Sequence, residues 1–194
     1  MDENYGFETD DKSSSKRRVL TTIIAFVIIV LLAFLAASLI KRYVTDTFTV
    51  DGSSMDATLS GGQSGDYTDG DRVVVNHFGK LNRGRIVVLR LEGREHALVK
   101  RIIGVEGDRI KIVEGLLYLN GELQNEDYVL ERNKIIGNPS PDMPEITVSQ
   151  GCVFVLGDNR NGSSDSRDFG EVKTEQVEGT VFLILRDGGG FNFV

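Results

Sequence analysis

Residues Val19 to Ile40 carry no charge and almost nothing but apolar side chains. A helix over this run spans roughly 33 Å, about the hydrocarbon thickness of a bilayer. Arg18 and Lys41 bracket it. A cleavable leader has an apolar stretch of only about 7–15 residues, ending at a small-residue cleavage site. This run is longer, and Ala36, Ala37 and Ser38 lie inside it, so it reads as a retained transmembrane helix. Lys12, Lys16, Arg17 and Arg18 precede it, whereas only Lys41 and Arg42 follow closely. Positive residues stay on the cytoplasmic side. The expected layout is a polar cytoplasmic tail (1–18), one membrane span (19–40) and an extracytoplasmic domain (41–194).

Such a domain must hold itself together by its core. Cys152 is the only cysteine, so no internal disulfide can form; it opens the apolar run Cys-Val-Phe-Val-Leu and is expected to be a small core residue. Apolar residues make up 40% of the chain, enough for that core. The net charge of −7 argues against a nucleic-acid partner, which calls for clustered Lys and Arg. His77 and His96 lack the paired spacing of metal ligands, and neither metal nor cofactor is expected.

After the span, apolar residues come in short runs rich in Val, Ile, Leu and Phe, separated by Gly, Asn and Asp. Strands are predicted at 44–51, 71–77, 84–91, 97–103, 108–113, 116–119, 145–148, 152–156 and 179–186. Asn120-Gly121 after Leu-Leu-Tyr-Leu predicts a hairpin, since both residues tolerate positive φ. No long amphipathic helix is predicted beyond the span, and the domain is expected to be mainly β. Ser60–Gly70, dense in Gly, Ser and Asp, and Asn138–Pro144, which holds every proline of the chain, are expected to be loops.

Three segments carry groups capable of chemistry. Val50-Asp51-Gly52-Ser53-Ser54-Met55-Asp56-Ala57-Thr58-Leu59 places serines among small residues after a strand, which alone describes any exposed turn. Ala97-Leu98-Val99-Lys100-Arg101-Ile102-Ile103-Gly104-Val105-Glu106-Gly107-Asp108 places two cations inside an apolar strand. Alternation sends Lys100 and Arg101 to opposite faces. A lysine turned into an apolar site loses affinity for its proton and can serve as a base, although two surface cations fit the same pattern. Gly157-Asp158-Asn159-Arg160-Asn161-Gly162-Ser163-Ser164-Asp165-Ser166-Arg167-Asp168-Phe169-Gly170 is too polar for a strand and too rich in hydrogen-bonding groups for an idle linker.

In this order and behind an N-terminal anchor, the three segments resemble the bacterial type I signal peptidases, which carry a Ser-Met motif, a Lys-Arg motif running into Gly-x-x-Gly-Asp, and Gly-Asp-Asn-Arg followed by Ser-x-Asp-Ser-Arg. The Val-Asp-Gly-x-Ser-Met form and the small domain are closer to the Gram-positive branch. The resemblance implies a coiled β-sheet or partly open barrel behind one transmembrane helix. It also implies a serine endopeptidase with a Ser-Lys dyad that removes signal peptides from translocated preproteins at the outer face of the cell membrane. Signal peptides and the lipid bilayer are then its partners. Ser54 would be the nucleophile and Lys100 the general base. Ser163 would hydrogen-bond Lys100, and the Ser54 N–H with the backbone near Gly52 would hold the oxyanion. Asp165 with Arg167, and Asp158 with Arg101, would be bracing ion pairs, and Met55 would line the cleft.

The chain departs from the family pattern at Ala57, where Ser-Met-x-Pro-Thr-Leu carries a proline. Without a ring fixing φ near −65°, the Ser54 loop is expected to be less rigid. Two alternatives share the same residues: a dedicated peptidase for a narrow substrate set such as pilins, and an anchored β domain that binds partners without catalysis.

Overall fold

Two bodies make up the chain in the computed structural model, which describes residues 10–62, 69–129 and 142–194. The first is helix α1 (Asp10–Tyr43). It starts ahead of the apolar run, so residues 10–18 of the expected polar tail are helical; residues 1–9 lie outside the described residues. That stretch holds no Gly or Pro to stop a helix, and the Thr21 and Thr22 hydroxyls donate back to the carbonyls of Arg17 and Arg18. From Ser15 to Leu39 the helix is long and apolar enough to cross a membrane, and its side chains there are exposed. A helix apolar on all sides matches lipid rather than water.

The second body, Val44–Val194, is built on two antiparallel sheets. The larger takes its strands in the order β1 (Thr45–Thr49), β2 (Arg72–Asn76), β11 (Val177–Leu185), β3 (Ile86–Leu89), β4 (Leu98–Val105), β9 (Cys152–Leu156) and β10 (Val172–Lys173), with β12 (Phe191–Phe193) also on β11. Because β1 and β10 end the order without meeting, the coiled sheet is a partly open barrel. β11 makes the turn: its first half pairs with β3, its second half with β12, and its other edge with β2. Bulges between Val177 and Gly179, between Val181 and Leu183, and in β4 between Ile102 and Gly104 add the local twist that curls the sheet. At the β4 bulge a Cβ on Gly104 would stand 2.5 Å from the end of the Ile110 side chain, so a larger residue there would force Ile110 to shift.

The smaller sheet runs β7 (Glu122–Leu123), β6 (Leu116–Leu119), β5 (Arg109–Val113), β8 (Met143–Thr147). Asn120 (φ +56°) and Gly121 (φ +89°) form the expected hairpin turn between β6 and β7. Residues 138–141 of the second predicted loop lie outside the described residues, as do 63–68 of the first. Met143 and Pro144, by contrast, open β8. The register shift opposite Lys111 lies at Pro144–Glu145, the kind of break in the ladder where a missing N–H is tolerated.

Alternation along the strands sorts the core. In β3, Ile86 and Val88 face one cluster with Val73, Val75, Val181 and Ile184, whereas Val87 and Leu89 face another with Ile102, Val153 and Val155. A strand buried on both faces reads as a continuous apolar run rather than an alternating one. Phe154 and Leu156 turn toward Ile110, Ile112 and Leu117 and tie the two sheets together. Cys152 packs against this last cluster from a partly exposed position.

Candidate active site

The Ser54 loop is a turn held from below. Its N–H groups at Asp56, Thr58 and Leu59 donate to the carbonyls of Ser53 and Met55, and Met55 and Leu59, four residues apart, both bury in the core. Met55 is 1% exposed. It therefore does not line the cleft as expected: the same turn that lifts Ser54 outward drives the next side chain into the barrel. Gly52, at φ +73°, occupies a left-handed conformation suited to glycine. Its N–H donates to the Gly62 carbonyl at 3.1 Å. That one N–H is therefore already engaged within the loop.

Ala57 stands at φ +91°, where a Cβ costs about 1–3 kcal/mol and where proline, locked near −65°, cannot follow. The loop thus takes a turn that the family's proline would forbid. It is nonetheless pinned from several directions. Thr58 Oγ1 donates to Asp158, Asn159 Nδ2 donates to the Ser53 carbonyl at 3.0 Å, and Arg186 Nη1 donates to the Thr58 carbonyl at 2.9 Å. Arg186 is held in turn by buried Asp71, whose carboxylate also accepts the Ser60 N–H. Ala57→Gly is expected to raise the melting temperature by about 2–4 °C, the equivalent of about 1 kcal/mol in a domain of this size. Thermal unfolding followed by circular dichroism checks this, and an unchanged or lower midpoint would remove the strain from Ala57.

Lys100 and Arg101 leave β4 in opposite directions. Lys100, 2% exposed, places Nζ 2.7 Å from Ser54 Oγ. Burial lowers its pKa to about 8, with Arg94 and Arg167 acting in the same sense and Asp165 and Asp158 opposing. Arg101 turns away, donating from Nε and Nη2 to the two oxygens of Asp158 at 2.8 and 2.7 Å, and from Nη1 to the Gly84 carbonyl.

The Gly157–Gly170 loop closes the site from the other side. Its backbone grips the Ser54 turn: the Asn159 N–H donates to the Ser54 carbonyl at 3.0 Å. Gly157 is pressed so close that a Cβ there would stand 2.5 Å from the Ser54 carbonyl oxygen and 2.3 Å from Ser163 Oγ. Asp165, fully buried, accepts the Gly157 N–H and both arms of Arg167, and caps the single helical turn α2 (Ser166–Phe169). Ser163 departs from expectation. Its Oγ is buried but hydrogen-bonds neither Lys100 nor any other described residue. Farther along the Lys100 segment, Asp108 joins the two sheets, held by Arg83, the Val105 N–H and Asn120. Burial works to raise its pKa, but these bonds outweigh that and draw it below the usual carboxylate value.

Ser54 and Lys100 open onto a cleft of about 360 Å³ lined by Thr49, Val50, Leu98, Val99 and His96 among others. β3 pairs with β4 from Leu98, whereas β9 pairs only from Arg101 onward, so the edge of β4 ahead of Lys100 faces this cleft. A larger hollow of about 860 Å³ behind the Ser54 loop, lined by Ala57, Ser60, Gly61 and Arg186, does not include Lys100. Among the described residues no cluster of His, Cys, Asp and Glu could hold a metal ion. His77 is half-buried and contacts Asp46 and the Glu178 carbonyl; His96 is exposed. Residues that bear on the site without having been given a role in the sequence are Asn159, Thr58, Asp71 and Arg186, together with Arg160, Glu126, which accepts from Arg160, and Tyr128, whose ring lies over Arg101.

Known proteins resemble this chain over most of its length. The family profile described as signal peptidase, peptidase S26, matches residues 21–186. Signal peptidase IB of Staphylococcus aureus is 32% identical over 166 residues, covering 77% of this chain and 82% of that protein. Signal peptidase I of Bacillus licheniformis is 32% identical over 163 residues, 79% of this chain and 83% of its own. A crystal structure of a signal peptidase I from Enterococcus faecalis, 33% identical, superposes with a TM-score of 0.48 over 53% of this chain and 97% of that one.

Proposed function

The chain belongs to the signal peptidases of peptidase family S26, and we propose that it is a membrane-anchored serine endopeptidase whose Ser54–Lys100 dyad cuts signal peptides from secreted preproteins. The reading rests chiefly on Lys100 Nζ lying 2.7 Å from Ser54 Oγ in surroundings that lower its pKa to about 8. A lysine with that affinity is neutral in an appreciable fraction near neutral pH. The neutral amine takes the Ser54 proton as Oγ attacks the scissile carbonyl. The resulting oxyanion is met by the Ser54 N–H, and a preorganised donor of this kind is typically worth about 2.7–4 kcal/mol. Lys100 then gives its proton to the departing amine and activates the water that releases the acyl group from Ser54.

The substrate binds extended against the edge of β4 at Leu98–Val99, adding a strand beside the cleft. Helix α1 anchors the enzyme. The excess of Lys and Arg before the span puts the N-terminus in the cytoplasm and the catalytic domain outside, where translocated preproteins emerge. Detergent-solubilised protein is expected to cut a preprotein at its leader junction, with Ser54→Ala at background. Absence of cutting by the wild type, or equal cutting by Ser54→Ala, would sink the proposal.

A further inference from the structure

The polar loop that closes the site is gripped on its far side by a segment that belongs to the other sheet. After β7 the chain runs without regular structure through Glu126 to Val129. Arg160, 2% exposed, donates from Nη1 to Glu126 Oε2 at 2.8 Å and from Nη2 to Glu126 Oε1. Its Nε donates to the Gly157 carbonyl at 3.1 Å. One guanidinium therefore runs from Glu126 to the peptide packed beneath the Ser54 carbonyl. The hydroxyl of Tyr128 donates to the same carboxylate at 2.7 Å, and its ring lies 4.1 Å from the guanidinium of Arg101, the residue that holds Asp158. Both arginines that bracket the start of the loop thus close on a single short segment.

Resting on the peptidase reading above, we propose that Glu126 and Tyr128 form a clasp through which the smaller sheet positions the catalytic loop, Glu126 acting through Arg160 and Gly157, and Tyr128 through Arg101 and Asp158. Neither residue touches Ser54 or Lys100; both are positioning residues. Displacements of about 1 Å in such supporting groups cost up to about a hundredfold in rate. The clasp should therefore show in kcat rather than in KM. Nor does Glu126 belong to the charges that set the proton affinity of Lys100, which are Asp165, Arg94, Asp158 and Arg167, so its loss should leave the pH dependence in place.

The experiment measures preprotein cleavage by the full detergent-solubilised chain, at a temperature where thermal unfolding shows each variant fully folded. Glu126→Gln is expected to lower kcat by about 30-fold, with KM within about twofold and the ascending pH limb unmoved. Arg160→Gln should do the same, and the double variant should be no worse than the poorer single one. Tyr128→Phe, which keeps the ring on Arg101, should retain more activity than Tyr128→Leu, and this pair carries the test if Glu126→Gln does not fold. Wild-type kcat in a folded Glu126→Gln or Tyr128→Leu, a loss confined to KM, or additive losses in the double variant overturn the clasp. Those outcomes leave the peptidase reading intact so long as the wild type cuts and Ser54→Ala does not. A wild type that fails to cut overturns both.

Discussion

Replacing Lys100 by methionine is expected to lower kcat/KM by about a thousandfold or more while making the protein harder to unfold. The loss follows from removing the proposed base, a contribution typically of about 10²–10⁴ in rate. The gain follows from linkage. In the unfolded chain Lys100 keeps its proton to about pH 10.4, whereas in the fold burial lowers its pKa to about 8. Between these values the unfolded state binds more protons, so wild-type stability rises with pH through that window. Below pH 8 both states are protonated and the cost of the buried charge is present in full, on the order of 3 kcal/mol. Methionine carries no such cost. Its advantage should reach roughly 5–10 °C in melting temperature at pH 6.5 and shrink as the pH approaches 10. The same pKa places an ascending limb near pH 8 in the wild-type kcat/KM profile. Thermal scans at pH 6.5 and 9.5 beside that profile check both halves, and a methionine variant no more stable at pH 6.5 would mean that the buried ammonium is already fully compensated.

How much of this could be read ahead of the structure depended on whether the signal was local. The nine expected strands all appear, most of them as short runs of apolar residues that supply the core of one sheet or the other. β10 and β12 were not anticipated, and β7 only as the return of the Asn120-Gly121 hairpin; all three are two or three residues long and exist through their pairing partners. Asn120-Gly121 was legible because the positive φ at both positions is a property of the residues themselves. Lys100 and Arg101 were legible as an alternating pair, but that Ser54 would stand beside the first and Asp158 beside the second rested on resemblance. Met55 was misplaced, although its spacing from Leu59 signals one buried face of a turn. Nothing local marks Glu126 or Tyr128, whose roles are contacts with groups distant in sequence. At Ala57 the residue standing in the family's proline position takes a positive φ that proline cannot adopt, in a turn held by Thr58, Asn159 and Arg186.

The second large effect concerns the buried pair behind Ser54 and Lys100. Asp158, 1% exposed, accepts both arms of Arg101 and the Thr58 hydroxyl, so it joins all three motif segments at one carboxylate. Asp158→Ala is expected to cost about 3–5 kcal/mol, because it strands a guanidinium with little access to water, and to lower the melting temperature by roughly 10 °C or more. It should also move the ascending pH limb downward, since the negative charge of Asp158 helps Lys100 hold its proton. Stability and catalysis should then separate. Replacing both partners, Asp158→Leu with Arg101→Met, removes the stranded charge, and an apolar pair of similar bulk is often as stable as the ions it replaces. The double variant should therefore recover much of the melting temperature. Without the bond from Thr58 to Asp158 and the fork on Arg101, however, the loops bearing Ser54 and Ser163 lose their common fixed point, and kcat should remain depressed by about tenfold or more. A double variant as active as the wild type would show that packing alone aligns the site and that the ion pair serves only the fold.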